Sequence, residues 1–317
     1  MTTKHIYRKR QLQDHWLNSF LPTSQLSKRH NPVFNYDVRR LELPEDLPRQ
    51  SVRWIINATV LPFAVWGLFI FLALMFSGYV SAVIDLVGHL VIVFIALSLF
   101  NTLSLDFMAT ISALRSIDNE RIQGRWALLR ISGLRMTRIV QAKHTVAQLN
   151  VWHSLCVVIG FRLAIVLMIP AHMLILHLAF PQSQLFAPIH LPLPEVGDPM
   201  ALAMVAMPVY LIVAGVWLIE PLWRVRALTA ASLVTAGSQV ENGLRPLVMA
   251  RVMLRFNLEC TGLFCAMIAF LYVGIMGANA LALTASALLP LLMVRRYQNL
   301  TQVWLKKAET RLSALES

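Results

Sequence analysis

The chain has 317 residues, of which 57% are hydrophobic and only 14% charged, whereas about a quarter of a soluble domain is charged. A net charge of +12 points to nucleic acid only when the cations gather on one folded patch. Here they alternate with long uncharged runs, which sets nucleic acid aside and leaves the membrane.

Residues 1–53 form a basic, proline-punctuated segment (Pro22, Pro32, Pro44, Pro48) with no apolar core of signal-peptide length. Ile6, Trp16 and Phe20 beside Arg8, Lys9 and Arg10 suggest an amphipathic helix lying on a membrane surface. A transmembrane domain follows over 54–294. A spanning helix needs about 20 mostly apolar residues, and the first candidates cover roughly 57–77 and 83–104, with a turn at Gly78-Tyr79. A third covers 151–180 with Pro170 inside it, and a kink is expected there. A fourth covers 200–219. The apolar run 260–294 is too long for one span and divides at the Gly274-Ile-Met-Gly277 stretch into 260–276 and 278–294.

The cations sort cleanly over these six spans. With both termini cytoplasmic, 27 of the 28 Lys and Arg fall in 1–53, 105–150, 221–256 and the tail 295–317, as the positive-inside rule requires. The outer loop 179–199 carries Glu195 and Asp198 instead. The expected fold is therefore an all-α, polytopic integral membrane protein of about six transmembrane helices, multi-pass in the cell membrane.

In the loop 105–150, Asp118, Asn119 and Glu120 favour a helix start. Ile122, Trp126 and Leu129 follow at i, i+4 and i+7 as one apolar stripe, and Ser132-Gly133 reads as a stop. Thr137 is placed to cap a second helix leading through Lys143 into the third span. Trp126 suits the interface, its ring buried and its N–H wet. An interfacial helix without a partner and a helix presented to a cytoplasmic protein both fit this pattern. Segment 221–256, apolar but carrying five Arg, is expected as one or two helices at the inner face. The tail is expected as a short helix.

Arg162 is the cation left inside a span. Such a residue costs about 2.5–3.5 kcal/mol on insertion scales and should face a partner. Asp85, near the outer end of the second span, is within reach; a structural ion pair is favoured over a contact for an anionic substrate. Glu220 and Glu259 read as interfacial anchors. His89 and His172 are placed to ligate haem between two helices, although satisfied or interfacial histidines are the commoner case. Cys156, Cys260 and Cys265 all lie in apolar runs and imply neither a disulfide framework nor a zinc site. Gly274, Ala278, Ala282 and Ser286 recur every four residues as a small stripe suited to close packing. No Ser-His-Asp set, carboxylate pair or metal cluster is visible, so neither catalysis nor a cofactor is expected.

The stretch "ERIQGRWALLRISGLRMTRIVQAK" resembles the cytoplasmic loop of type 2 ABC exporter permeases, which reads roughly E-R-x-x-G-T-W-E-L-L, then T-P-L, I-V and Lys. Glu120, Arg121, Gly124, Trp126, Leu128, Leu129, Leu134, Ile139, Val140 and Lys143 carry the likeness. "NPVFNYDVRR" resembles the N-P-V-x-x-R-E-L-R stretch before the first span of the same permeases, through Asn31, Pro32, Val33 and Arg40. The chain departs from the pattern at Arg125 and Ala127, which flank the tryptophan, at Ser132-Gly133, and at Tyr36-Asp37. The resemblance implies a diverged permease subunit in which Glu120, Arg121, Gly124, Trp126 and Leu129 form a coupling helix. That helix would dock on a separate ATP-binding subunit, and two permeases, alike or different, would pair. The chain carries no G-x-x-x-x-G-K-[ST] phosphate loop of its own. The alternative is a non-transporting structural or anchor subunit of a larger membrane complex.

Overall fold

The computed structural model describes residues 31–41, 43, 44, 46–75, 80–179, 199–238, 245–276 and 280–314. Its elements are α1 (Pro32–Arg40), α2 (Leu47–Met75), α3 (Val80–Ile122), α4 (Arg125–Ile131), α5 (Met136–Asn150), α6 (Trp152–Ala179), α7 (Pro199–Ala236), α8 (Arg245–Met276) and α9 (Ala280–Ala314). No strand occurs among the described residues. Among the described residues, three helical stretches are long and apolar enough to cross a membrane: Leu47–Leu72, Gly88–Ile122 and Trp152–His172.

The helices outrun the apolar runs that seed them. At 43 residues, α3 is about 65 Å long, twice a hydrocarbon core of about 30 Å. Residues 105–122, expected as loop, are the second half of this helix. They stay helical because Leu105, Ala109, Ala113 and Ile117 recur every four residues as a buried stripe. Asp118, Asn119 and Glu120, expected to open a helix, lie in its last turns. In the same way 221–236 is the unbroken end of α7, 245–256 opens α8, and the tail continues α9. The expected turn at Gly78-Tyr79, the surface helix in residues 1–30 and Ala278 lie outside the described residues, as do the side chains of Gly274 and Ala282. Ser286 of that small stripe is buried.

Long helix α7 packs against α3, α5, α6, α8 and α9, while α2 lies along α6 and α3. Gly160 marks the closest approach of α6 to α2. A Cβ there would sit 2.4 Å from the Ile55 carbonyl oxygen, so only glycine fits. Thr59 Oγ1 lies 2.8 Å from Ile55 O and 2.9 Å from Gly160 O and shares its one proton between them. Proline inside a helix deprives the carbonyl four residues earlier of its N–H. Pro170 does so to Val166, and the Tyr210 hydroxyl of α7 donates to that carbonyl at 2.7 Å.

Beyond the apolar spans, six helices close over one core. Val33 of α1, Ala113 and Ile117 of α3, Trp126 of α4, Ile139 and Val140 of α5, Leu233 of α7 and Ala308 and Leu312 of α9 pack together. The alanines let the backbones approach closely, and Trp126 fills the remaining volume.

Candidate functional site

Residues 31–40 and 120–143 meet at this core. Asn31 caps α1: its Oδ1 accepts from the amides of Val33 at 3.1 Å and Phe34 at 3.4 Å, with Pro32 at the first helical position where no N–H is needed. The same side chain donates from Nδ2 to the Arg138 carbonyl of α5 at 2.9 Å. One asparagine thus starts a helix and fastens it to another.

Further along α1, Lys143 of α5 is buried between two carboxylates. Its Nζ lies 2.7 Å from Asp37 Oδ2 and 3.0 Å from Glu120 Oε1. Arg125 completes the set, with Nε 3.1 Å from Glu120 Oε2. It also donates to the Tyr36 hydroxyl at 2.7 Å, and Arg40 donates to the same hydroxyl at 2.5 Å while its guanidinium lies over the Tyr36 ring. Two acids and two bases cancel, which is what burial of charge requires. Tyr36 and Arg125 are therefore partners of each other, while Asp37 pairs with Lys143.

The expected coupling helix takes a different form. Gly124 adopts a left-handed φ of 68° and ends the path of α3, so Ile122 and Trp126 do not share a face. Ile122 is 82% exposed, whereas Trp126 is 3% exposed in the core. Its indole N–H, expected to be wet, has no hydrogen-bond partner among the described residues. Glu120 is buried under Lys143, and Leu129 packs against the core. Arg121 and Gly124 are exposed. The stop at Ser132-Gly133 stands where the sequence puts it, with Gly133 at a φ of 68°. Thr137 is not the cap of α5, which begins at Met136 after Arg135. Its hydroxyl donates to Glu309 of α9 at 2.5 Å. What the elbow presents outward is Ile122, Leu128 (66% exposed) and Ile131 (82%), rimmed by exposed Arg121, Arg135 and Arg138.

A second charged cluster lies deeper, where α3, α6, α7, α8 and α9 meet. Arg162 pairs with Glu220 of α7: Nη1 lies 2.9 Å from Glu220 Oε2, and Nη2 donates to Thr102 Oγ1 at 3.0 Å. The Asp85 side chain lies outside the described residues. Glu220 is fully buried and is no interfacial anchor, because α7 runs on for 16 residues past it. It also accepts from Arg224 at 3.2 Å and from the Tyr297 hydroxyl at 2.9 Å. Arg224 in turn grips Asp106 in a fork, Nε to Oδ1 at 2.9 Å and Nη2 to Oδ2 at 2.7 Å, and donates to Asn257. Sequence reading missed Asp106 and Arg224. The available signal was Glu220 and Arg224 at i, i+4 beside an apolar run. Glu259, by contrast, is half-buried and pairs with Arg255 and Arg296.

His89 is exposed, while the preceding Gly88 faces His172 Nε2 at 3.7 Å from a built Cβ. His172 sits edge-on to Trp66 with ring centroids 6.5 Å apart. Among the described residues no three His, Cys, Asp or Glu side chains gather in a way that would hold a metal. His144 of α5 is buried, donating from Nε2 to the Arg226 carbonyl at 2.9 Å and accepting at Nδ1 from Gln148 at 3.0 Å. Burial pushes its pKa down to about 4. No family model, curated protein or solved structure matches the chain.

Proposed function

We propose that the protein is the membrane-spanning subunit of an ATP-driven exporter of the type 2 permease class. In this reading six helices, α2, α3, α6, α7, α8 and α9, cross the cell membrane with both termini cytoplasmic. A separate ATP-binding subunit docks from the inner side, and the permease works paired with a second copy or a related chain. The observation that carries it is the interlock of the two permease-like stretches through Asn31, Asp37, Glu120 and Lys143. Asn31 and Arg138 are 107 positions apart in sequence, and Asp37 and Lys143 are nearly as distant, yet they converge to fix one short helix in place. That arrangement supports α4 as a projecting piece held for a partner, and Ile122, Leu128 and Ile131 are the anchors it offers. Trp126 then acts from within, as the post on which α4 stands. The cationic rim suits an acidic surround on the ATPase.

The second reading is a non-transporting anchor subunit of a larger complex. It is favoured by the charge-neutral closure of Arg162, Glu220, Arg224 and Asp106 on one another, which leaves a charged substrate no net field to meet. The test is purification of the full chain from its native membrane in mild detergent, with mass spectrometry of its companions. The permease reading expects a chain carrying a phosphate-loop motif, lost when Ile122, Leu128 and Ile131 are replaced together by serine. Recovery of a large assembly without such a chain would establish the anchor instead.

A further inference from the structure

The last exposed apolar face of α3 runs into a groove. Leu103, Phe107 and Met108 are about half exposed, and Ile111 continues the line one turn on. Arg115, again four residues further, is exposed. A helix that faces lipid through Leu103, Phe107 and Ile111 thus changes to a cation within about 12 Å of Phe107.

The groove beside this stripe has a volume of about 640 Å3 and lies between α1, α3, α5 and the start of α6. Phe107, Met108 and Ile111 line its apolar end, and Arg115, Asn119 and Arg40 its polar end. The acids that also border it, Asp37 and Glu120, are both engaged by the buried Lys143. They therefore do not oppose an anion. Arg115 has no ion-pair partner among the described residues, and Arg40 is held only by the Tyr36 hydroxyl and ring. Two guanidinium groups are free to converge above an apolar trough.

We infer that this groove is a binding site for one anionic phospholipid, its phosphodiester held by Arg115 and Arg40 and its acyl chain laid along Phe107 and Met108. Guanidinium groups match phosphate oxygens in charge and planar geometry, and basic pockets between helices at the inner face are suited to anionic headgroups. The trough is what separates a lipid from a soluble phosphate ester, which would use the arginines alone. The inference rests on the membrane placement and is independent of the ATPase partnership, so either can fail without the other.

The test uses the full chain in mild detergent, supplied with phosphatidylglycerol or with phosphatidylcholine of the same chains, and counts retained lipid by native mass spectrometry. Phosphatidylglycerol is expected to be held and phosphatidylcholine not. The double variant Arg40→Gln, Arg115→Gln is expected to bind it about tenfold more weakly, the loss of charge-assisted hydrogen bonds. Arg39→Gln, the same charge change on an exposed neighbour outside the groove, is expected to match the wild type. A phosphatidylglycerol with a photoreactive acyl chain should label wild-type peptides containing Phe107 and Met108, a readout that requires no variant to fold. Equal retention by the double variant, labelling confined to other helices, or displacement by glycerol phosphate alone would each overturn the assignment.

Discussion

Arg162 donates a hydrogen bond of 2.5 Å to the carbonyl of Trp217, the one carbonyl of α7 that Pro221 leaves without a helical N–H. The proline and the arginine lie on different helices and each accounts for the other. The guanidinium also lies over the Trp217 ring, 5.0 Å from its centroid. Pro221→Ala returns an N–H to Trp217 and makes Arg162 redundant at that oxygen. Removing proline from a helix interior commonly stabilises by about 3 kcal/mol; here the gain should be smaller, because the orphan carbonyl is already satisfied. In thermal unfolding of the detergent-solubilised protein, Pro221→Ala and Arg162→Met are expected to be non-additive. Strict additivity would show that the two residues act separately.

Glu220 holds two arginines at once, so Glu220→Gln leaves buried positive charge unmatched. A loss of about 3–5 kcal/mol is expected, as for breaking a buried pair. Adding Arg162→Met to Glu220→Gln should return part of that stability, since the second change removes one of the stranded charges. A double variant less stable than Glu220→Gln would mean that Arg162 is held by the carbonyl and the ring, with little from the acid.

Lys143→Met is expected to release α1, because Asp37 would then lie buried without its cation while Glu120 keeps only Arg125. Asn31→Ala should do the same more mildly, at about 1 kcal/mol for a lost cap. Protease cleavage between residues 31 and 46 reports the release. Resistance equal to that of the wild type in Lys143→Met would show that packing of Val33 alone keeps α1 in place.

Gly160→Ala pushes a methyl group onto the Ile55 carbonyl. With backbone on the receiving side, no flexible side chain can yield, and the α2–α6 contact must open at a cost of about 1–3 kcal/mol. Gly67→Ala on α2, where an added Cβ meets nothing within 4 Å, is the matched control and should be neutral or slightly stabilising in the same melt.

His144 is neutral when folded, with its pKa lowered from 6.5 to about 4 by burial. Between these values the unfolded chain binds the proton and the folded chain does not, so stability falls as pH falls through that window and is unaffected above it. About 3 kcal/mol should be lost by pH 4 from this residue. His144→Gln keeps a polar side chain without the titration and should flatten the difference; an unchanged pH dependence would place the effect elsewhere.

The helical class and three of the expected apolar spans were legible because periodicity and run length act directly on the chain. The stop at Ser132-Gly133 was legible because a left-handed backbone needs glycine there. Helix ends were less so. The acids at Asp118–Glu120 look like a beginning, yet Glu120 is buried by Lys143, 23 residues onward, and only tertiary contact reveals that they close a helix. Trp126 was misplaced for a related reason: alone it looks amphipathic, and the alanines of α3, α5, α7 and α9 that make room for it are distant in sequence. Arg162 was correctly expected to be paired, but Glu220, read as an interfacial anchor, was not foreseen as its partner, because that depended on which helices adjoin. Small residues, which set that adjacency, carry little signal about their partners.

The unbroken course of α3 has a mechanical consequence. A rod of about 65 Å, clamped by the Asp106–Arg224 fork about 39 Å from Val80 and about 24 Å from Ile122, turns a tilt of about 10° into displacements of about 7 Å and about 4 Å at those tips. One tip carries the elbow at Ile122 and the other begins at Val80. Any force delivered at the Ile122 tip reaches the opposite end within a single rigid body, in the reverse direction, with the buried fork as fulcrum.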